Sequence, residues 1–499
     1  MTELGADLSR AYDPEQFREA GRKLIDDLSD YLHAAQGRSL PVLPPSDPDE
    51  LCALYARTLA QADRGRAAVP ALDELVSQAM ALVNHLHHPR YIGHQVTAPL
   101  PEAALLELVS ALSNNGAAVF EMGTVELAME RALASWMSNC LGLGSSADGI
   151  FTSGGSAGNL TALLAARQEQ AGFDVWREGV HGGAPLCVLV SDQAHYSVKR
   201  SLQIAGLGEG GVELVPVDAR FKLRPELLPQ AQERAEARGR KVIAVVGSAG
   251  STATGSYDPL QPIAEYCQSR ELWFHVDGAH GAYAALSPKL RPLIAGIENA
   301  DSVVWDAHKM LLMPALVTAV LFRDGSRSYE AFAQQASYLF GDVQPQEEWF
   351  NLGSRTLECT KRWMVLPLYV ALARRGTAFF QSYVERAVAL AAEFASEIQA
   401  AADFELGVQP ESNIVCFRYL PRRFQGALVP DGESERQALD RVQAEIRAAL
   451  LRSGEFYIVQ TRLPRGLYLR VTIINPLTTA GDLQDLLRAV RDLARKIPA

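Results

Sequence analysis

The sequence predicts an α/β fold, in which the main domain has a mainly parallel sheet covered by helices on both faces. From about residue 148, short apolar runs alternate with helical patterns. Runs that are apolar throughout are typical of strands buried on both faces. The runs are residues 187–190, 242–246, 272–276, 302–305 and 317–322. Ligands of such sheets bind at the carboxyl ends of the strands, so we expect a functional site in the segments that follow these runs.

Two smaller parts flank this domain. Residues 1–85 are predicted to form a helical arm, because apolar residues recur at helical spacing until a proline-rich segment at residues 40–48. The main domain is predicted over residues 86–375, and a small α+β domain over residues 376–499. In the small domain, the pattern from Ser434 to Gln437 predicts a capping box at the start of a helix.

Composition excludes several classes of function. The chain has 499 residues and a formal net charge of −11, without a basic stretch that could engage nucleic acid or an anionic membrane. No apolar run approaches the ~20 residues of a membrane span, and the N-terminus lacks the pattern of a signal peptide. Six scattered cysteines show no ligand spacing. We therefore expect a cytoplasmic protein that acts on a small molecule.

A lysine and an aspartate follow two of the predicted strands. Lys309 comes shortly after the run 302–305, and Asp277 directly follows the run 272–276. A lysine at the end of a buried strand is costly unless its charge is used or neutralised, and burial favours the neutral amine that imine chemistry needs. Pyridoxal phosphate requires such a lysine for its Schiff base, and a carboxylate that keeps its ring nitrogen protonated. Taken singly, the lysine could simply reach solvent and the aspartate could be a turn residue.

A glycine-rich turn at residues 152–159, TSGGSAGN, opens a helix and is suited to binding a phosphate group. The same turn matches the G-x-S-x-G nucleophile elbow of α/β-hydrolases. In that alternative Ser156 is the nucleophile, and Asp277 and either His280 or His308 complete the triad. The hydrolase alternative leaves Lys309 unexplained, so we prefer phosphate binding.

Other polar residues fall at the same predicted edge or invite a metal hypothesis. His195 follows a strand, and its ring could stack on a flat cofactor. A second polar turn, at residues 247–255, could contact the same molecule. The histidines at positions 85, 87, 88 and 94 do not have a spacing that places two of them on one face with a carboxylate, so no metal is expected.

Together these segments resemble the group II pyridoxal-phosphate-dependent amino-acid decarboxylases, a family with glutamate, cysteine-sulfinate, diaminobutyrate and aromatic amino-acid enzymes. The resemblance spans roughly residues 80–495. It is carried by HPRY at 88–91, TSGGSAGN at 152–159, VDGA at 276–279, SVVWDAHKM at 302–310, LRV at 469–471 and Asn475-Pro476. It implies pyridoxal-phosphate fold type I, like that of aspartate aminotransferase, and a homodimer with active sites at the subunit interface.

The resemblance also implies roles for individual residues. Lys309 would form the Schiff base, Asp277 would pair with the pyridine nitrogen, and His195 would stack on the ring. The residues expected to contact the cofactor are Gly155, Ser156, His195, Thr252, Asp277, Ala279, His308 and Lys309. Tyr338 would return a proton to Cα once carbon dioxide has left. Arg470 would hold a substrate carboxylate, and His94 falls where acid-specific members have a glutamine.

The sequence departs from the family pattern at several positions. Asp306 stands where asparagine is frequent, Ala157-Gly158 where Glu-Ala is frequent, and Gly123-Thr124 where Ser-Pro or Ala-Pro is usual. The stretches around His94 and Gly123 shape the substrate pocket in the family, so they bear on which substrate is used.

The resemblance implies α-decarboxylation of an L-amino acid to the amine and carbon dioxide. The expected substrate is acidic or small and polar (glutamate, aspartate or cysteine sulfinate) or 2,4-diaminobutyrate. The alternatives are an aromatic L-amino-acid decarboxylase, an aldehyde synthase, an aminotransferase and, more distantly, a serine hydrolase that uses Ser156.

Overall fold

The computed structural model describes residues 3–62, 71–332, 349–425 and 432–497. The chain divides into two compact units. Unit 1 consists of Met1–His94, Tyr419–Val471 and Asn475–Ala499, and unit 2 consists of Gln95–Arg418 and Thr472–Ile474. The division of the chain at residues 85 and 375 stays a prediction.

A series of helices precedes strand β1, and strands and helices alternate after it. The helices are α1 (Glu3–Ala11), α2 (Pro14–Gln36), α3 (Pro48–Ala62), α4 (Leu72–Met80), α5 (Pro101–Ser113), α6 (Thr124–Leu141), α7 (Gly155–Gln170), α8 (Val175–Glu178), α9 (Tyr196–Ile204), α10 (Leu228–Glu236), α11 (Leu260–Arg270), α12 (Leu366–Ala400), α13 (Glu433–Ser453) and α14 (Ala480–Ala494). The strands are β1 (Asp148–Thr152), β2 (Leu186–Ser191), β3 (Val212–Val215), β4 (Lys241–Ser248), β5 (Trp273–Asp277), β6 (Ser302–Asp306), β7 (Thr318–Phe322), β8 (Phe404–Leu406), β9 (Ile414–Tyr419), β10 (Val459–Leu463) and β11 (Gly466–Thr472).

Unit 2 is built around a seven-stranded sheet with the order β1-β7-β6-β5-β4-β2-β3. The pairs from β6 to β3 are parallel, whereas β7 runs antiparallel to both β6 and β1. The predicted α/β class with a mainly parallel sheet is therefore confirmed. The register pairs Ser248 with Asp277 and Asp277 with Val304, so the carboxyl ends of β4, β5 and β6 lie side by side.

Helices cover both faces of this sheet, as the continuous apolar runs predict. On β6, Val303 and Trp305 belong to one buried cluster, which includes residues of α6, α10, α11 and α12. Val304, between them, belongs to a second cluster with residues of α7 and α9. Each strand therefore buries alternate side chains against helices on opposite sides, and its carboxyl end is left as the place where polar groups can gather.

Unit 1 joins the two ends of the chain. Asp482 of α14 accepts hydrogen bonds from the guanidinium groups of Arg38, at 2.9 and 3.1 Å, and of Arg90, at 3.4 Å. The side chain of Asn475 donates to the carbonyl oxygens of Leu86 and His88. Strands β10 and β11 form an antiparallel pair. The segment that follows α4 is therefore held by residues near the C-terminus.

One local prediction in this unit is wrong. The expected capping box from Ser434 to Gln437 is not formed, because α13 begins at Glu433 with Gly432 at its N-cap, so Ser434 already lies in the first turn. Elsewhere, among the residues that the structure describes, no helix combines the length and the apolar character needed to cross a membrane.

Candidate active site

A cavity of about 250 Å³ lies in unit 2, where β4, β5 and β6 end and α7 begins. All eight residues that the sequence predicts to contact the cofactor line it. They are Gly155, Ser156, His195, Thr252, Asp277, Ala279, His308 and Lys309. The structure thus brings together side chains from segments as far apart in the sequence as α7 and the turn after β6.

Lys309 faces a buried carboxylate in this cavity. Its Nζ lies 2.8 Å from Oδ2 of Asp306, the last residue of β6, and their side chains are 18% and 2% exposed. The hydroxyl of Thr318 donates to Oδ1 of Asp306 at 2.6 Å. Burial opposes ionisation of Asp306, but the charges of Lys309 and His308 and the bonds from Lys309 and Thr318 outweigh it, so the pKa of Asp306 is held below its usual value.

Asp277 is held by an amide that the sequence analysis did not single out. Asn159 of α7 donates from Nδ2 to Oδ2 of Asp277 at 3.0 Å, and the backbone N–H of Ala279 donates to Oδ1 at 3.2 Å. The same Nδ2 donates to the hydroxyl oxygen of Ser197 at 3.0 Å. Both carboxylate oxygens of Asp277 therefore act as hydrogen-bond acceptors.

A chain of buried polar groups fixes the orientation of Asn159. Burial lowers the pKa of His275 to about 4, although Asp277 acts in the opposite direction, so the ring is neutral. Its Nε2–H donates to Oδ1 of Asn159 at 3.0 Å, and its Nδ1 accepts from the hydroxyl of Ser302 at 2.8 Å. Trp273 in turn donates to Ser302 at 2.9 Å. Trp273 can only donate, and Ser302 and the neutral ring of His275 each accept one bond and donate one, so Oδ1 of Asn159 is the acceptor at the end of this chain and its amide nitrogen points to Asp277.

His195 is oriented by the same network. It is the N-cap of α9, and its Nδ1 accepts from the hydroxyl of Ser197 at 2.7 Å. Burial lowers the pKa of His195, although the charge of Asp277 raises it, so we expect a neutral ring. Ser197 thus links His195 to Asn159 and, through it, to Asp277.

The glycine turn supplies the start of α7. Gly154 has φ 116° and ψ 159°, a backbone conformation that favours glycine, and Gly155 is the first helical residue. A Cβ on Gly155 would lie 3.2 Å from both carboxylate oxygens of Asp306 and 3.3 Å from Cβ of Ala279. The first N–H groups of a helix have no partner within the helix, so this turn is suited to an anion such as a phosphate group.

The geometry does not support the hydrolase alternative. Ser156 lies inside α7, and the unusual backbone angles fall on Gly154 rather than on the serine, unlike a nucleophile elbow. The histidines that the triad would need are engaged elsewhere. His280 Nε2 lies 2.8 Å from Oδ1 of Asn413, and His308 donates from Nδ1 to the carbonyl oxygen of Val317 at 3.0 Å.

The other predicted site residues are Arg470, His94 and Tyr338. Arg470 and His94 belong to unit 1, and Tyr338 lies outside the described residues. Sequence reasoning gave no role to Asn159, Ser197 and His275. The only signal for them was their nearness to predicted residues along the chain. Asn159 is the last residue of the glycine-rich motif, and His275 lies two residues before Asp277 on β5.

Comparison with known proteins agrees with these observations. The family described as the pyridoxal-dependent decarboxylase conserved domain matches residues 65–420. The chain is 31% identical over 419 residues to the cysteine sulfinic acid decarboxylase of Homo sapiens, covering 82% of this chain and 83% of that protein. It is 30% identical over 412 residues to the acidic amino acid decarboxylase GADL1 of Mus musculus, covering 82% and 74%. The crystal structure of mouse CSAD matches with a TM-score of 0.86 and 27% identity, over 96% of this chain and 100% of that one.

The family match and the cavity account for the same residues. A lysine, a carboxylate fixed as an acceptor and a helix start that suits a phosphate are the three groups that pyridoxal phosphate requires, and all three face one cavity. The resemblance seen in the sequence is confirmed. The chain belongs to the pyridoxal-dependent decarboxylase family, and its cofactor is pyridoxal phosphate.

Proposed function

We propose that this protein removes the α-carboxyl group of an acidic L-amino acid as carbon dioxide, and that the unit 2 cavity holds the cofactor for this reaction. The observation that carries the proposal is the convergence of Lys309, Asp277 and the start of α7 on one cavity. When bound, pyridoxal phosphate supplies a protonated ring that draws electrons from the bond to the carboxyl group.

The predicted residues that line the cavity have specific roles in this proposal. Lys309 would bond the cofactor covalently, and Asp277, which Asn159 holds as an acceptor, would pair with its ring nitrogen. Gly155 and Ser156 receive the phosphate at the start of α7, together with His308. Thr252 and Ala279 would contact the cofactor, and His195, kept neutral and oriented by Ser197, would stack on its ring. The proton returned to Cα comes from Tyr338, a role that rests on the family resemblance.

Residues of unit 1 support an acidic substrate. Burial and the positive charges of Arg470 and Arg447 lower the pKa of His94, so His94 stays neutral beside two cations. We propose that Arg470 binds a substrate carboxylate and that His94 contributes to the same pocket. The relatives named cysteine sulfinic acid decarboxylase and acidic amino acid decarboxylase support the same class of substrate.

An amino-acid panel tests this function. The purified protein, saturated with pyridoxal phosphate, is given cysteine sulfinate, glutamate, aspartate, 2,4-diaminobutyrate, tyrosine or tryptophan, and carbon dioxide and the organic product are measured. We expect carbon dioxide and the matching amine from an acidic substrate. Lys309→Arg is the inactive control, because arginine keeps the positive charge but cannot form the Schiff base with pyridoxal phosphate.

Other products would identify the alternatives. Carbon dioxide released mainly from tyrosine or tryptophan would contradict the acidic assignment. An aldehyde in place of the amine would indicate an aldehyde synthase, and conversion of the cofactor to pyridoxamine phosphate without carbon dioxide would indicate an aminotransferase.

We also propose that the protein acts as a homodimer. On α5, Leu105, Leu108, Val109 and Leu112 are between 46% and 67% exposed and follow the i, i+3, i+4, i+7 spacing of one helix face. An apolar stripe of this kind is unfavourable in water and is typical of a surface that another protein covers. A second copy of the chain is the partner that the family resemblance implies.

Light scattering on the purified protein tests the homodimer. We expect the mass of two chains, and a shift to one chain for Leu108→Glu. Ile204→Glu, at a position on α9 that is 65% exposed, is the matched control and should leave the mass unchanged. A monomeric wild-type protein would contradict the proposal. A cytoplasmic location also remains a proposal, and fractionation of cells that produce the protein would test it.

A further inference from the structure

Asp306 has no part in the roles proposed above, although it lines the cavity. Its side chain is 2% exposed, and it approaches Lys309 Nζ at 2.8 Å and His308 Nε2 at 3.6 Å. The distance to Lys309 is that of a charge-assisted hydrogen bond, which is about twice as strong as a bond between neutral groups. The carboxylate of Asp306 is therefore placed to exchange a hydrogen-bonded proton with the lysine nitrogen.

The position of Asp306 is fixed by its surroundings and not by Lys309 alone. Its backbone N–H donates to the carbonyl oxygen of Ala279 at 3.1 Å, and its Oδ1 accepts from Thr318 at 2.6 Å. Thr318 is its partner in the register of β6 and β7. Both oxygens also face the place where a side chain on Gly155 would lie. The carboxylate is therefore held in place by groups other than Lys309.

We propose that Asp306 is the counter-ion of Lys309. It keeps the lysine nitrogen protonated in two states, as the ammonium group of the cofactor-free protein and as the Schiff base that forms when the nitrogen condenses with the aldehyde of pyridoxal phosphate. This inference rests on the proposed function of the cavity. It makes Asp306 the proton partner of Lys309.

The proton balance of the condensation is consistent with a permanent counter-ion. The lysine ammonium, with three protons, first passes one proton to Asp306, which exposes the nitrogen lone pair. A bond forms between Nζ and the aldehyde carbon, and the aldehyde oxygen leaves as water with the two remaining nitrogen protons. Asp306 then returns its proton to the nitrogen. The charge on nitrogen is positive before and after, so the buried carboxylate is never left without a cation.

Asp306→Asn tests this inference because asparagine has nearly the same shape and can still accept the bond from Thr318, but carries no charge. The first measurement is the pH at which the visible band of the protonated Schiff base gives way to the band of the unprotonated form. We expect the variant to make this change at a pH about 1–3 units lower than the wild type, since a close opposite charge typically produces a shift of this size. The same midpoint in both proteins would overturn the proposal.

A second measurement uses the cofactor-free protein and does not depend on catalysis. Only the neutral amine attacks the aldehyde, so the rate of cofactor capture rises with pH until it reaches a plateau. We expect the plateau to begin at a lower pH in Asp306→Asn than in the wild type. Coinciding pH profiles would argue against the counter-ion role.

Thr318→Val separates this role from a purely structural one. It removes the 2.6 Å bond to Asp306 and leaves the carboxylate and its contact with Lys309. We expect it to lower thermal stability without moving either pH profile as far as Asp306→Asn does. If Asp306 only anchors β7, both variants will lose stability and neither will move the profiles.

If Asp306→Asn does not fold, the pH dependence of the wild-type Schiff-base band tests the proposal. Its protonated band should then persist to about pH 8 or above, and loss of the band below pH 7 would overturn the proposal. Failure of the proposed function looks different. In that case the wild type forms no Schiff-base band at any pH.

Discussion

Glu126 on α6 is predicted to destabilise the folded protein at pH 7, whereas its neighbour Glu130 is predicted to stabilise it. Its side chain is 2% exposed, and within the described part of the chain neither carboxyl oxygen has a hydrogen-bond partner. Burial, and after it the charge of Glu130, raises the pKa of Glu126 to about 8, although Lys361 acts in the opposite direction. The group is therefore protonated in the folded protein at neutral pH.

The sign and size of the effect follow from this pKa. In the unfolded chain the same group has its ordinary value of 4.5 and is ionised at pH 7, so folding takes up a proton. Stability therefore falls as the pH rises from about 4.5 to about 8. Each unit corresponds to about 1.36 kcal/mol, and the 7 − 4.5 = 2.5 units at pH 7 give a penalty of about 3 kcal/mol.

Glu126→Gln removes the titration and keeps the shape. We expect the variant to be more stable than the wild type by about 3 kcal/mol at pH 7, and by less than about 1 kcal/mol at pH 5, in chemical denaturation. Glu130→Gln is the matched control, one turn further along α6. Glu130 accepts from Lys361 Nζ at 2.6 Å and from the N–H of Phe151 at 2.9 Å, so this change should destabilise the protein by about 3–5 kcal/mol. A Glu126→Gln protein that is no more stable than the wild type at pH 7, or whose advantage does not grow from pH 5 to pH 7, would refute the reasoning.

Three further predictions concern the cavity and the proton donor. Ser156→Ala should weaken cofactor retention by about 1.5–3 kcal/mol, measured by fluorescence titration, yet leave appreciable turnover at saturating pyridoxal phosphate. Loss of all activity with the cofactor fully bound would instead favour a nucleophilic serine. Asn159→Ala removes the 3.0 Å bond to Asp277 and should lower cofactor affinity, whereas affinity equal to that of the wild type would show that the amide does not support this carboxylate. Tyr338→Phe should slow amine formation by roughly 10²–10⁴-fold without changing cofactor binding, with part of the product appearing as aldehyde; wild-type amine production would exclude this donor.

Much of the fold and of the cavity could be predicted from the sequence because the strands of unit 2 are buried on both faces. The runs that contain Val245, Phe274 and Val303 are continuous, so each was recognisable without knowledge of its neighbours. Once the strands are parallel, their carboxyl ends must meet at one edge. Residues that follow different strands, such as Asp277 and Lys309, are then brought to the same cavity.

The network behind the cavity could not be predicted in this way. Asn159 and His275 are 116 positions apart, and their contact depends on how α7 packs on β5, which the local pattern does not contain. Strand β3 was also missed. It is four residues long, and Glu213 interrupts its apolar pattern. A glutamate is tolerated in this strand because Arg234 and Arg238 bind its carboxylate in the folded protein. Partners of this kind are supplied by tertiary structure and leave no periodic signal.

The false capping box has a similar origin. Serine and glutamine three positions apart satisfy the motif from Ser434 to Gln437, but the same pair occurs within the first turn of a helix that starts earlier. Which residue becomes the N-cap depends on where the helical backbone begins, and the four residues of the motif do not determine this. The same helix ends at Ser453, and Gly454 follows it with φ 67°, a left-handed conformation that glycine favours.

The most direct test of the account is to locate the covalent bond between protein and cofactor. The protein is saturated with pyridoxal phosphate, reduced with borohydride, digested and analysed by mass spectrometry. The account predicts one pyridoxyl group per chain, on the peptide that contains Lys309, and none in Lys309→Ala. A label on a different lysine, or an unlabelled Lys309 peptide in a protein that has bound the cofactor, would contradict it.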